Sequence, residues 1–141
     1  MKAIEGIYGI FLQQDTFLLL HRTPGRTMNA NTWNPMGGDV KKGEDPETVF
    51  YRDAKEKLNI TEITIERSRQ IIVPTSEGVS RPMRRDCIVA RGNCGNLVLD
   101  PTKYDGHGWF TGTTIGGLVL TPGVHFVLRT MGLIVPLQEK R

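Results

Sequence analysis

The chain has 141 residues, of which 38% are apolar, and a formal net charge of +3. That length and composition suit one compact domain over residues 1–141, with a core of its own. The charge mildly favours anionic ligands and falls short of a nucleic-acid footprint. No apolar run is long enough for a membrane helix and no signal peptide is present, so the chain reads as soluble and cytoplasmic.

In chain order, the stretches from about Ala3 to Leu12 and from Phe17 to Arg22 read as strands around a Gln13–Gln14–Asp15 turn. Gly37 and Gly38 form a Gly-Gly turn that admits tight backbone geometry and close approach of a ligand. Asp45 is a good N-cap, and Pro46 suits the first helical position, where its missing N–H costs nothing. The helix then runs uninterrupted by Gly or Pro to Leu58, with Asn59 as its stop. On a helical wheel Phe50, Tyr51, Ala54 and Leu58 share one side. Asp53 and Glu56 stand a turn apart on another face, with Arg52 flanking Glu56 at i, i+4. Ile60 to Val73 reads as a long strand, and a loop through Ser76–Glu77–Gly78 leads to a strand from about Met83 to Ala90. Gly108–Trp109–Phe110 suggests a short strand, and Thr121 caps a final helix with Pro122 at its first position. There is no internal repeat, low-complexity tract or linker.

Two carboxylates placed like Asp53 and Glu56 can converge on one hard cation, because Mg²⁺ takes oxygen ligands. The same charges are also what an ordinary solvated helix face carries, so the preceding loop decides. There Gly43 and Glu44 bring an acid back toward the helix start. The segment from Gly38 to Ile60 resembles the Nudix box, GX5EX7REUXEEXGU with U bulky and apolar. Gly38, Glu44, Arg52 and Glu56 match in identity and spacing, and Ile60 matches the last apolar position. Asp53 keeps the charge of the first Glu of the REU triplet, and Ala54 is a small stand-in for its apolar residue. Lys57 replaces the final Glu, Asn59 replaces the second Gly, and Met36 stands where Pro usually precedes the Gly pair. The order of strands and helices extends the resemblance over roughly residues 3 to 135. It implies an α/β Nudix fold, a mixed β-sheet sandwiched between α-helices.

The resemblance further implies a hydrolase that cleaves the pyrophosphate linkage of a nucleoside diphosphate linked to another moiety, by attack of water on phosphorus. The alternative is a Nudix-fold nucleotide-binding or regulatory module without turnover. Carried over, Asp53 and Glu56 would ligate Mg²⁺ or Mn²⁺ with the Gly37 carbonyl, and Arg52 would orient the acids. Glu44 would fix Arg52 or a metal-bound water. Lys57 departs from this scheme: an ammonium cannot coordinate a cation, and at i+4 from Asp53 it can pair with that carboxylate and compete with metal. The expected consequence is a weakened or rearranged metal site.

The family often supplies a base from the loop before the Trp strand, which here is KYDGHGWF. His107 can serve as general base, or as a loop imidazole bonded to backbone; Asp105 before Gly is equally ordinary turn chemistry. Arg22 can approach a phosphate and Trp33 can stack on a base, although a strand-end charge and a core aromatic explain both as well. Arg81, Arg84 and Arg85 form the densest basic cluster, either a solvated strand or a phosphate contact, and Lys140 and Arg141 read as a solubilising tail. His125 is read as packing, and Cys87 as a small buried hydrophobe with no bridge to Cys94 called for. The expected partner is a nucleotide-type small molecule, with no membrane, and the sequence leaves room for a homodimer.

Overall fold

The computed structural model describes residues 4–25, 29–73 and 83–134. The Ser76–Gly78 loop, Arg81 and the Lys140–Arg141 tail lie outside these. Nine elements follow in order: β1 (Ile4–Gln13), β2 (Thr16–Arg22), β3 (Trp33–Asn34), β4 (Met36–Asp39), α1 (Pro46–Leu58), β5 (Thr61–Val73), β6 (Met83–Asn93), β7 (Tyr104–Phe110) and α2 (Val124–Thr130) among the described residues. They make a mixed sheet of order β3-β2-β1-β6-β5, with β4 also paired to β1 and β7 to β2. β1 and β6 run parallel from Ile4↔Met83 to Phe11↔Ala90, and the other pairs are antiparallel.

A central strand covered on both faces must be apolar on both. In β1, Ile7 and Phe11 point to the α1 side, where they meet Leu18, Leu20, Val49, Phe50, Ala54 and Leu58. Tyr8 and Ile10 point to the other side and meet Phe17, Leu19, Val124, Val127 and Leu128. The sheet thus separates two cores, one under each helix, as expected for the mixed sheet between helices. Phe50 is completely buried, with its ring centroid 5.4 Å from that of Phe11. A side chain so placed contributes about 1.5–3 kcal/mol of apolar transfer free energy.

Several elements differ from the sequence reading, each for a tertiary reason. Gly37 and Gly38 lie in β4, in register with Tyr8 and Ile7, and form no turn. Tyr51 is 42% exposed and Val49 is buried in its stead. The buried stripe of α1 is centred near Asp53, which is 5% exposed, so Asp53 and Glu56 do not share a solvent face. β7 begins at Tyr104 because it pairs with β2 along its whole length, with a bulge at His21/Arg22 that absorbs an extra residue. The final helix starts at Val124: Gly123 takes φ 89°, which helical backbone forbids, so Thr121 and Pro122 sit in a turn ahead of it. His125 is half-buried there.

Candidate active site

The loop and helix that hold the Nudix-box residues are fixed at both helix ends. Asp45 accepts the Thr48 amide at 3.0 Å and the Thr48 hydroxyl at 3.1 Å, with Pro46 opening the first turn. At the other end Asn59 takes the left-handed conformation, φ 56°, and the Asn59 and Ile60 amides close on the Lys55 and Ala54 carbonyls. Asn59 Nδ2 also donates to the Asn96 carbonyl at 3.1 Å. These ends set the rotation of α1 against β4.

That rotation drives Asp53 against the backbone of Gly38. A Cβ on Gly38 would stand 2.2 Å from Asp53 Oδ2, so only glycine permits the approach. A carboxylate this deeply buried needs cations or donors, since desolvation of an unpaired charge costs several kcal/mol. Two cations supply them. Lys57 Nζ lies 3.3 Å from Asp53 Oδ2 and donates to the Gly37 carbonyl at 3.1 Å. Arg52 Nε lies 3.4 Å from Asp53 Oδ1, a long contact, while Arg52 Nη1 makes its short one, 2.8 Å, to Glu44 Oε2. Glu44 Oε1 accepts the Lys41 amide at 2.9 Å, which folds the loop back on itself. Arg52 therefore turns to Glu44 and Asp53, away from Glu56.

Charge follows contact. The Arg52 hydrogen bond, then the Lys41 amide, holds the Glu44 carboxyl below the usual glutamate range. The same Glu44 bond pushes the Arg52 guanidinium up. Both side chains are partly solvated, 29% and 42% exposed, so the pair orients Arg52 more than it stabilises the fold.

A third cation, read from the sequence as a solvated strand charge or a phosphate contact, braces the same strand. Arg85 on β6 donates from Nη1 to the Gly38 carbonyl at 3.1 Å and stacks 4.9 Å over the Tyr8 ring. Burial raises the Tyr8 hydroxyl pKa, and the charges of Arg85 and Arg22 partly offset it. The periodicity of β6 hides this, because a half-buried Arg in a basic run looks like a solvated one. On the outer side of Glu44 an open polar cavity of about 670 Å³ is lined by Glu5, Lys41, Lys42, Glu44, Arg84 and Asp86 among others. Burial, then the Glu5 charge, raises the Asp86 carboxyl there.

The other expected site residues lie elsewhere. Glu56 and His107 are exposed, His107 on β7 in register with Leu20, and neither joins the network around Asp53. Instead His21 pairs with Asp105, Nδ1 to Oδ1 at 2.5 Å, across the β2–β7 seam. The His21 ring packs 4.9 Å from Trp33, which meets Phe110 at 5.3 Å. Trp33 is half-buried among these groups, with one part of its surface open.

Of the donors expected for a divalent ion, Asp53 and the Gly37 carbonyl are both engaged by Lys57. Among the described residues no three His, Cys, Asp or Glu side chains cluster closely enough to hold a metal. As folded, with Lys57 in place, the donor set does not fit a bound divalent ion. No helix among the described residues is long and apolar enough to cross a membrane.

The sequence matches no family model and no curated protein. Solved structures are similar over most of the chain. A MutT NUDIX hydrolase from Burkholderia pseudomallei is 21% identical with a TM-score of 0.73, over 92% of this chain and 98% of that one. A NUDIX hydrolase from Nitrosomonas europaea is 18% identical with a TM-score of 0.65, over 99% and 97%. An ADP-ribose pyrophosphatase from Streptococcus suis is 16% identical with a TM-score of 0.64, over 87% and 83%. With two cores about a mixed sheet, α1 against β4 and this similarity over most of its length, the chain has the fold of the Nudix hydrolase superfamily.

Proposed function

We propose that this chain is a pyrophosphohydrolase acting on a nucleoside diphosphate linked to another moiety, with its site on α1 and the Gly37–Gly38 strand. The observation that carries the proposal is the chain of contacts from the Lys41 amide through Glu44 and Arg52 to the buried Asp53. It places acids and cations together on a fold whose neighbours include an ADP-ribose pyrophosphatase. In hydrolysis, water adds to one phosphorus, the bridging P–O bond breaks, and the water gives up a proton. Glu44 holds the Arg52 guanidinium beside Asp53, so that Arg52 orients the acids of the site. Arg22 contributes a guanidinium toward the substrate phosphates, and the open part of Trp33 is the stacking surface for the base.

Glu56 and His107 are the uncommitted bases of the set, and the proton of the attacking water falls to one of them. Mg²⁺ or Mn²⁺ belongs to the proposal as cofactor only in exchange for Lys57, which holds two of the three expected donors.

The test is a panel of nucleoside triphosphates, dinucleotides and nucleotide sugars with Mg²⁺ or Mn²⁺, read as release of nucleoside monophosphate or phosphate. Release by the native chain that Glu56→Gln removes supports the proposal. Tight binding of nucleotides without release from any of them would establish the binding-module alternative.

A further inference from the structure

We infer that the Lys57 ammonium is the resident cation of this site, a built-in substitute for a divalent ion that closes the Asp53–Gly37 donor pair to free metal. The inference rests on the proposed location of the site and is independent of turnover.

Asp53 carries the charge that has to be met. Its side chain is 6% exposed and lies against the backbone of Gly38, where little water reaches it. Something positive must face it, because a buried anion without a partner is not tolerated at ordinary stability. Lys57, one turn further along α1, reaches it at 3.3 Å and at the same time satisfies the Gly37 carbonyl at 3.1 Å. One ammonium thus serves an acid and a backbone oxygen that lie on different elements. Those are the oxygens that a hard cation would need, and Mg²⁺ binds oxygen at about 2.0–2.1 Å, well inside the ammonium contacts. Two cations on the same pair of oxygens repel each other strongly. Arg52 adds a further positive charge at 3.4 Å from the other Asp53 oxygen. The pocket is therefore already neutralised without an ion.

The Lys57 side chain is 28% exposed and so open to water, whereas that of Asp53 is 6% exposed. Replacing it should convert the surrogate into a vacancy, and replacing it by an acid should convert the vacancy into a metal site. Lys57→Glu adds an oxygen donor and removes one positive charge, and Lys57→Met removes the charge alone.

The experiment titrates the nucleotide-free chain with Mn²⁺ and follows free Mn²⁺ by electron paramagnetic resonance. Only binding that Asp53→Asn abolishes is counted. The native chain should show no such binding up to about 1 mM Mn²⁺. Lys57→Glu should gain one Asp53-dependent site at least about 30-fold tighter than this limit, because it adds an anionic oxygen ligand. Lys57→Met should gain an intermediate one. Native binding within threefold of Lys57→Glu would overturn the inference, as would a folded Lys57→Glu that gains nothing. If Lys57→Glu fails to fold, Lys57→Met decides, and no Asp53-dependent gain there overturns it. Absence of turnover in the nucleotide panel would leave these results intact, so the two failures are distinguishable.

Discussion

The tightest steric relation in the site is Gly38 against Asp53, and Gly38→Ala probes it directly. The added Cβ would lie 2.2 Å from Asp53 Oδ2, and Asp53 Cγ and Ile7 Cγ1 would each be at 3.4 Å. A methyl group and a carboxylate oxygen need about 1 Å more than the short distance allows. Gly38 does not have a positive φ, so alanine meets no backbone strain, and the whole effect falls on the carboxylate. Asp53 cannot rotate freely, being buried and held by Lys57 and Arg52 at 3.3 and 3.4 Å. Forcing it aside stretches both contacts, and overpacking of this kind costs about 1–3 kcal/mol. For a chain of this length that lowers the melting temperature by roughly 3–9 °C. Calorimetry of native, Gly38→Ala, Asp53→Ala and the double variant forms a cycle. Without the carboxylate the alanine methyl has room, so coupling of about 1 kcal/mol or more is expected. A Gly38→Ala chain that melts within about 1 °C of native, or an equal penalty in the Asp53→Ala background, would refute the packing account.

Three further outcomes follow from the same geometry. Asp45→Ala removes the acceptor for the Thr48 amide and hydroxyl, and should cost about 1 kcal/mol by urea denaturation, whereas Asp45→Asn should cost much less. Glu44 is held below its ordinary pKa by Arg52, so it adds stability above the usual glutamate pKa of about 4.3 and loses it as pH falls through the lowered value. The melting difference between native and Glu44→Gln should accordingly be present at about pH 6 and shrink as the pH falls below about 4; a difference that grows on acidification would reverse the sign. Burial pushes the Cys87 thiol up to about 12, and Cys94 is raised by burial as well. Both thiols are free, so a disulfide-exchange reagent should label half-buried Cys94 slowly and Cys87 only after denaturation. Equal labelling rates in the folded chain would contradict the buried placement.

What the sequence makes legible is local. The ends of α1 are written in Asp45–Pro46 and in Asn59, because capping and left-handed turns depend on one or two residues. The β1–β2 turn is similarly readable, with Gln14 at φ 55° and Thr16 bonded to the Gln13 carbonyl at 2.7 Å. The Lys57–Asp53 contact is visible as an i, i+4 pair. The position of Gly37 opposite the same ammonium is not, since it joins elements 20 residues apart. Gly37–Gly38 looks like a turn by composition, yet pairing with β1 draws it into the sheet, and Gly38 makes room for Asp53. A wheel weighted by large apolar side chains turns Tyr51 inward, whereas the volume available at Gly38 turns α1 so that Asp53 faces in. The His21–Asp105 pair spans 84 residues and depends on the β2–β7 register, which no local pattern encodes.

Hydrolysis in water enriched in oxygen-18, followed by phosphorus NMR of the products, addresses the proposed chemistry most directly. The account predicts cleavage of a nucleoside diphosphate derivative with one labelled oxygen on a single product phosphate, and loss of that signal when Glu56 and His107 are both replaced by Gln. Substrates recovered uncleaved across the panel, or products without label, would contradict it.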